Sequence, residues 1–224
     1  WLGKENVAPR VILTEGGSMT DIYVYNQLTK DNNGNIKVDQ NGNLGITSSN
    51  TPVKVGNLDA DFNLGWTNHF TYKGIDLGVV LSARVGGLAY SATQGILDYY
   101  GVSGTSATAR DNGGIPINNG KVNAQKYYQT IGTGEGGYGR YYLYSATNVR
   151  LQELSLNYTL PKRWFKNVAN VTLGIVGRNL WMIYCKAPFD PELSASTSSN
   201  YYMNVDYFMQ PSLRNFGFNV KVQF

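Results

Sequence analysis

SLRNFGFNVKVQF, residues 212–224, ends the chain with a regular alternation of apolar and polar side chains. The apolar positions are Phe216, Phe218, Val220, Val222 and Phe224. Because successive side chains of a β-strand point to opposite faces, the pattern predicts a strand with one apolar and one polar face. In a soluble β-sandwich the apolar face packs on a core, whereas in a membrane barrel it faces lipid and the polar face lines a wet lumen. We expect the barrel, because a soluble protein seldom ends on an aromatic residue in mid-strand.

Four earlier segments show a similar alternation, at residues 62–72, 75–85, 149–160 and 171–183. Each is about 10 to 14 residues long, which exceeds the usual soluble strand and suits a strand that crosses a membrane at a tilt. In the third segment the alternation changes phase after Leu151, which predicts a β-bulge near Gln152. Residues 20–28 are a further candidate strand, and one or two more spanning strands are expected before residue 60.

The connections between these segments alternate in length. Lys73-Gly74 and Pro161–Asn167 are short, whereas Gly87–Ala146 and Cys185–Pro211 are long. Outer-membrane barrels have short periplasmic turns and long extracellular loops. With a periplasmic C-terminus, all the long connections fall on the outside of the cell, so the predicted topology is self-consistent.

Composition supports β-structure and excludes several classes of protein. The chain has 17 Tyr and 26 Gly, and only 15% of its residues are charged, against about 25% in soluble domains. No apolar run approaches the roughly 18 residues of a transmembrane helix. The net charge of +4 is scattered rather than clustered with aromatic residues, which argues against nucleic-acid binding. One cysteine, Cys185, and one histidine, His69, leave no multi-cysteine or histidine-rich metal site.

Two Asn-Gly pairs lie in the stretches Asp31–Asn35 and Asp39–Asn43. The alternating oxygen ligands of the first stretch also suggest a calcium loop. An EF-hand loop, however, needs glycine at its sixth position and glutamate at its twelfth, and the sequence has neither. We therefore favour two tight turns. We expect no metal and no cofactor.

Five spanning strands are too few for a closed bacterial barrel, which needs at least about eight. The chain is therefore expected to be part of a larger barrel.

With the strands placed, the sequence resembles the C-terminal part of the SusC/RagA family, the TonB-linked (TonB-dependent) outer-membrane transporters of Bacteroidetes. The resemblance extends over residues 16–224. Its motifs, in order, are Asp61–Trp66 with Tyr72–Leu77, Arg84–Gly87, Ala146–Pro161, Gly177–Leu180, Asp190–Glu192 and Phe216–Val220.

The resemblance implies an all-β fold, in which residues 1–224 form the C-terminal strands of an antiparallel transmembrane barrel of about 22 strands with long extracellular loops. The plug domain and the N-terminal strands lie outside this chain. It further implies import of oligosaccharides or peptides across the outer membrane, powered through the TonB complex, which acts on the plug. Expected partners are a SusD-like surface lipoprotein, the barrel-assembly machinery, the rest of the barrel and the lipid membrane. No enzymatic activity is expected.

Candidate site residues lie in the long connections. For substrate binding they are Asp98, Tyr99, Tyr100, Tyr138, Arg140 and Tyr141, because tyrosine offers a flat ring and a hydrogen-bonding hydroxyl. For Tyr141, Tyr142 and Tyr144, an aromatic girdle at the membrane interface or packing within the loop is the favoured alternative.

Other residues have different expected roles. Tyr201, Tyr202 and Tyr207 are candidates for contact with the lipoprotein, and Phe224 for the signal that the assembly machinery reads. Five cationic residues are expected to point into the lumen: Arg84, Arg150, Arg178, Arg214 and Lys221. Steering of an anionic substrate is one role for them, and pairing with carboxylates of the plug or of neighbouring strands is the favoured one.

One alternative remains open at this point. A secreted soluble β-sandwich, acting as a lectin-like carbohydrate-binding module, would use the same tyrosine-rich loops.

Overall fold

The computed structural model describes residues 8–132, 138–193 and 204–223. The chain divides into two compact units. Unit 1 comprises residues 1–59, 87–145 and 191–209, and unit 2 comprises residues 60–86, 146–190 and 210–224.

The strands, numbered along the chain, are β1 (Arg10–Val11), β2 (Asp21–Leu28), β3 (Ile46–Asn57), β4 (Phe62–Tyr72), β5 (Ile75–Val85), β6 (Leu88–Ser91), β7 (Ile115–Ile117), β8 (Gly120–Val122), β9 (Leu143–Ser145), β10 (Asn148–Thr159), β11 (Asn170–Cys185), β12 (Val205–Asp206) and β13 (Asn215–Gln223). The helices are α1 (Ala92–Tyr99), α2 (Gly104–Asp111) and α3 (Ala124–Gly132), with 3₁₀ turns at Gly139–Tyr141 and Lys162–Phe165.

Unit 2 is a five-stranded antiparallel sheet in the order β13-β11-β10-β5-β4. Each strand pairs with the next strand of this unit along the chain, so the sheet is a meander. The predicted hairpin joins β4 to β5, with Lys73 and Gly74 both at positive φ (46° and 86°), as a tight two-residue turn requires. All five predicted strands and the antiparallel all-β class are confirmed.

The predicted bulge lies at Gln152. Leu151 pairs with Leu81 and Glu153 with Val80, so Gln152 has no opposite residue on β5. The pairing of β10 with β11 shifts at the same place. The extra residue moves Leu154 and Leu156 back onto the apolar face, which explains the change of phase in the sequence.

The two faces of this sheet differ in chemistry. One row on the apolar face crosses all five strands through Phe70, Leu77, Leu156, Ile175 and Phe218. A neighbouring row on the other face consists of Thr71, Asp76, Asn157, Gly174 and Asn219. Most large side chains of the apolar face are exposed, among them Trp66 at 44%. A soluble sandwich buries such a face against a second sheet, so the exposed rows favour the barrel over the sandwich.

Unit 1 has its own core. Its small sheets are β1-β2-β3, β12-β6-β9 and the hairpin β7-β8. Tyr90 and Tyr142, each 2% exposed, pack with Leu28, Ile131 and Val205, which come from three separate stretches of the chain.

Two expectations need correction in unit 1. Residues 87–146 were expected to be a loop, but the described residues of this range, 87–132 and 138–146, form three helices and several strands, because helix caps and a shared core hold their polar sequence. Additional spanning strands were expected before residue 60. The candidate at residues 20–28 is indeed a strand, but β2 pairs with β1 and β3 in unit 1 rather than with the long sheet.

No helix within the described ranges is long and apolar enough to cross a membrane.

Candidate functional site

A pocket of about 170 Å³ lies among the three helices of unit 1. It brings together three of the predicted substrate-binding residues with residues of α2 and α3. The lining residues are Asp98, Tyr99, Tyr100, Gly101, Ser106, Arg110, Ala124, Gln125, Tyr128 and Gln129.

Helix caps place the walls of this pocket. Ser91 caps α1 by accepting the amide of Gln94, and Ser103 caps α2 by accepting the amide of Ser106. Asn123 precedes α3 and accepts the amide of Gln125 through its side chain. Each cap satisfies an amide that the first turn leaves without a helical partner, so these short helices have fixed starting points.

Asp98 is buried and acts as an anchor between α1 and α2. Its Oδ1 accepts hydrogen bonds from Gln94 Nε2 (2.8 Å), Thr105 Oγ1 (3.0 Å) and the hydroxyl of Ser103. This carboxylate oxygen is therefore engaged within the fold, where it links α1 to the start of α2.

Aromatic rings surround this carboxylate. The rings of Tyr99 and Tyr100 meet edge to face at 5.1 Å, and Tyr100 is 66% exposed. Burial, and then the negative charge of Asp98, raise the pKa of Tyr128. The same two causes raise the pKa of Tyr144 to about 12. These hydroxyls therefore stay protonated near neutral pH and can donate hydrogen bonds.

The other predicted substrate-binding residues do not line this pocket. The hydroxyl of Tyr141 accepts the backbone amide of Leu28 (2.6 Å) and so ties the first long connection to β2. Arg140 is exposed and Tyr138 is half-buried. Tyr142 is buried in the core, and Tyr144 packs against that core. Tyr141, Tyr142 and Tyr144 thus all make contacts within unit 1.

Sequence reasoning missed Arg110, Gln125 and Tyr128 as pocket residues, because α2 and α3 were not recognised as helices. A usable signal was present: Ser91, Ser103 and Asn123 each stand just before a short helical stretch, as N-cap residues do.

Tyr207 is partly exposed, and its ring meets that of Phe208 at 5.4 Å, nearly perpendicular. The amide of Phe208 donates to Thr93 Oγ1 (2.6 Å), which fixes this aromatic pair beside α1. Tyr201, Tyr202 and Phe224 lie outside the described residues.

The polar face of unit 2 carries ion pairs within the chain. Arg178 Nε donates to Glu153 Oε2 at 2.7 Å, which confirms the expected pairing of this cation with a carboxylate of a neighbouring strand. Arg150 also pairs within the chain, with Asp190. Arg214 was expected on the lumenal face, but it lies one residue before β13 begins. The pairing of β13 with β11 starts at Asn215, so it does not fix the orientation of the Arg214 side chain.

The Asn-Gly stretches form the two predicted turns. Asp31 Oδ1 accepts the amides of Asn33 and Asn35, and Asp39 Oδ1 accepts those of Asn41 and Asn43. These backbone hydrogen bonds lower the pKa of both carboxyl groups. Over the described parts of the chain, no group of three or more acidic, histidine or cysteine residues could hold a metal ion.

Comparison with known proteins gives a consistent picture. No family model matches the chain. It is 26% identical over 201 residues to TonB-dependent receptor P3 of Formosa agariphila; the match covers 87% of the chain and 19% of that protein.

Solved structures of the RagAB peptide importer have the same fold. The open-open state gives a TM-score of 0.60 at 15% identity, covering 97% of the chain and 24% of the solved chain. The closed-closed state gives 0.57 at 16% identity, covering 91% and 23%. The chain thus spans less than a quarter of the length of each of these proteins.

Proposed function

We propose that unit 2 forms part of an outer-membrane barrel wall and that the long connections contribute to nutrient capture. The chain belongs to the SusC/RagA-type TonB-dependent receptors. The complete protein would import oligosaccharides or peptides without chemical change to them. This chain would be the C-terminal part of the barrel domain.

One observation carries the proposal. The rows of apolar side chains cross five paired strands and stay exposed, while the opposite face carries Asp76, Asn157 and Asn219. Lipid on one side and a wet lumen on the other is the environment that this division fits. Strands β4 and β13 are the edges of the sheet, and unpaired edges favour association with further strands of a larger barrel.

The relatives suggest the partners. A plug domain outside this chain would meet TonB, and a SusD-like lipoprotein would contact the long connections, with Tyr207 and the predicted Tyr201 and Tyr202 as contact residues. Support comes from the name of the receptor in Formosa agariphila and from the RagAB structures.

Transport itself is tested with the full-length receptor in its host cell. Cells with and without TonB are given a fluorescently labelled protease digest or a labelled oligosaccharide mixture. We expect uptake of one mixture to require both the receptor and TonB. Receptor-dependent uptake that persists unchanged without TonB would refute active transport.

Substrate contact at the helical pocket gives a first prediction. Tyr100→Ala in the full-length receptor should raise the Kd for the component of the imported mixture that the receptor retains best by about two- to tenfold, because an aromatic contact contributes about 0.5–1.5 kcal/mol. The component is identified by mass spectrometry after retention on the immobilised receptor, and its Kd is measured by calorimetry. Val102→Ala is the matched control, because Val102 is exposed nearby but does not line the pocket. Equal affinities for the two variants would remove this pocket from substrate binding.

Assembly gives a second prediction. Deleting Phe224 from the full-length protein should lower the amount of folded barrel in the outer membrane, because the terminal aromatic residue would be read by the assembly machinery. The measurement is the heat-modifiable band on a gel of outer-membrane fractions. A Phe224→Tyr variant, which keeps the ring, should assemble normally. Normal assembly after the deletion would rule out this role of Phe224 in assembly.

A further inference from the structure

A buried ion pair lies at the end of the long sheet where the long connections begin. Arg150 Nη2 of β10 lies 2.7 Å from Asp190 Oδ1, and Nη1 lies 3.4 Å from Oδ2. The side chains are only 4% and 7% exposed. Two parallel contacts between a guanidinium and a carboxylate fix their relative orientation as well as their distance.

Two further side chains extend this pair to the returning chain. Ser212 donates its hydroxyl to Asp190 Oδ2, and Asn179 Nδ2 donates to Ser212 Oγ (2.8 Å) and to the carbonyl of Leu213 (3.3 Å). Asp190 lies five residues after the end of β11, and Ser212 lies three residues before the start of β13. The network therefore joins the two stems of the last long connection.

An irregularity in β11 aims Asn179 at this network. Glu153 pairs with Arg178 and Leu151 with Trp181, so Asn179 and Leu180 stand opposite Gln152 alone. Asn179 has a φ of 53°, a conformation that asparagine tolerates better than most residues. Leu180 folds over Gly177, where a Cβ atom would lie only 2.7 Å from Leu180 Cδ2.

The backbone pairing of β11 with β13 ends at Arg178 and Asn215. Beyond that point, hydrogen bonds from the side chain of Asn179 to Ser212 and Leu213 link β11 to the residues that lead into β13. Bulges commonly redirect a side chain or end a ladder, and this one does both.

We propose that Arg150, Asn179, Asp190 and Ser212 form a stem clamp, which holds the two ends of the last long connection together and fixes where residues 191–211 leave the sheet. Arg150 is a positioning residue. A lysine keeps its charge but cannot make the two parallel contacts. The clamp does not depend on which nutrient the barrel transports.

The test uses the full-length receptor, folded in its outer membrane and extracted in detergent. Hydrogen–deuterium exchange is followed in peptides covering residues 186–193 and 204–214, and in strand peptides covering residues 154–159 and 216–222. Arg150→Met and Arg150→Lys should each raise exchange in the stem peptides about tenfold or more, while the strand peptides stay as in the wild type.

Glu153→Gln is the matched control. Glu153 lies on β10, as Arg150 does, and its ion pair with Arg178 of β11 is separate from the clamp. The substitution removes that ion pair and leaves the clamp intact, so the stem peptides should exchange as in the wild type. Asp190→Asn serves as a second route if Arg150→Met does not assemble, and the heat-modifiable gel band establishes folding. Unchanged stem exchange in Arg150→Lys and Asp190→Asn, or an equal rise in stem and strand peptides, would overturn the clamp.

Discussion

Trp66→Arg should strongly reduce the amount of folded receptor in the outer membrane, whereas Thr67→Arg should not. The two residues are neighbours in the middle of β4, and both are exposed. Trp66 lies on the apolar face and pairs with Leu81, while Thr67 lies on the polar face. A cation on the lipid side of a barrel costs about 2–4 kcal/mol near the middle of the bilayer, while the lumenal side tolerates it.

The pair of variants makes this test specific. Both place the same cationic side chain in the same strand, so a general intolerance of arginine in β4 would lower the folded amount of both. Folded receptor is measured as the heat-modifiable band in outer-membrane fractions, normalised to total protein. Equal loss in the two variants, or a greater loss for Thr67→Arg, would contradict the assignment of the faces.

Tyr142→Ala should destabilise unit 1 by about 3–5 kcal/mol without preventing barrel assembly. Tyr142 is a large buried side chain in the core of unit 1, and removing a buried ring leaves a cavity that its neighbours fill only in part. The unit has its own core, so the expected loss is local. Hydrogen–deuterium exchange of the full-length receptor should show lost protection in β6, β9 and α1.

Tyr100→Ala is the control for this prediction. It removes the same side chain from the same unit, but from a position where the ring is mostly exposed, so protection should change little. Tyr142→Phe separates the ring from the hydroxyl and should retain most of the protection. Wild-type exchange in Tyr142→Ala would show that this core does not hold the unit together.

The strands of unit 2 could be predicted because a single physical rule acts on every residue. Each side chain must face either an apolar or a polar environment, so alternation records the face, and its slip at Gln152 records the bulge. The second irregularity, at Asn179 and Leu180, gives β11 one residue more than β10, which itself carries an extra residue at Gln152 relative to β5. It preserves the alternation of Ile175, Trp181 and Ile183 and leaves little trace in the sequence.

The helices of unit 1 were harder to predict because they are short and polar. Helix α2 reads Gly-Thr-Ser-Ala-Thr-Ala-Arg-Asp, which has low helix propensity and resembles a loop. Its stability depends on the cap at Ser103 and on packing of Ala109 and Ser106, both of which are tertiary features.

The pocket and the clamp depend on contacts between residues far apart in the chain. Asp98 marks one wall of the pocket, but Tyr128 reaches it only because α3 packs on α1. Arg150 and Asp190 are separated by 40 residues, and the sequence predicted a partner for Arg150 without identifying it. The residue types were visible in advance; the pairing was not.

The central claim is that one face of unit 2 touches lipid and the other touches water. A nitroxide scan of β13 tests it most directly, with single cysteines placed at residues 215–223 of the full-length receptor in a background lacking other cysteines. Collision with oxygen, which concentrates in lipid, and with a water-soluble nickel chelate is measured at each position in lipid bilayers. We expect a period of two, with residues 216, 218, 220 and 222 accessible to oxygen and residues 215, 217, 219 and 221 accessible to nickel. Nickel access at the even-numbered positions, or no period at all, would contradict the claim.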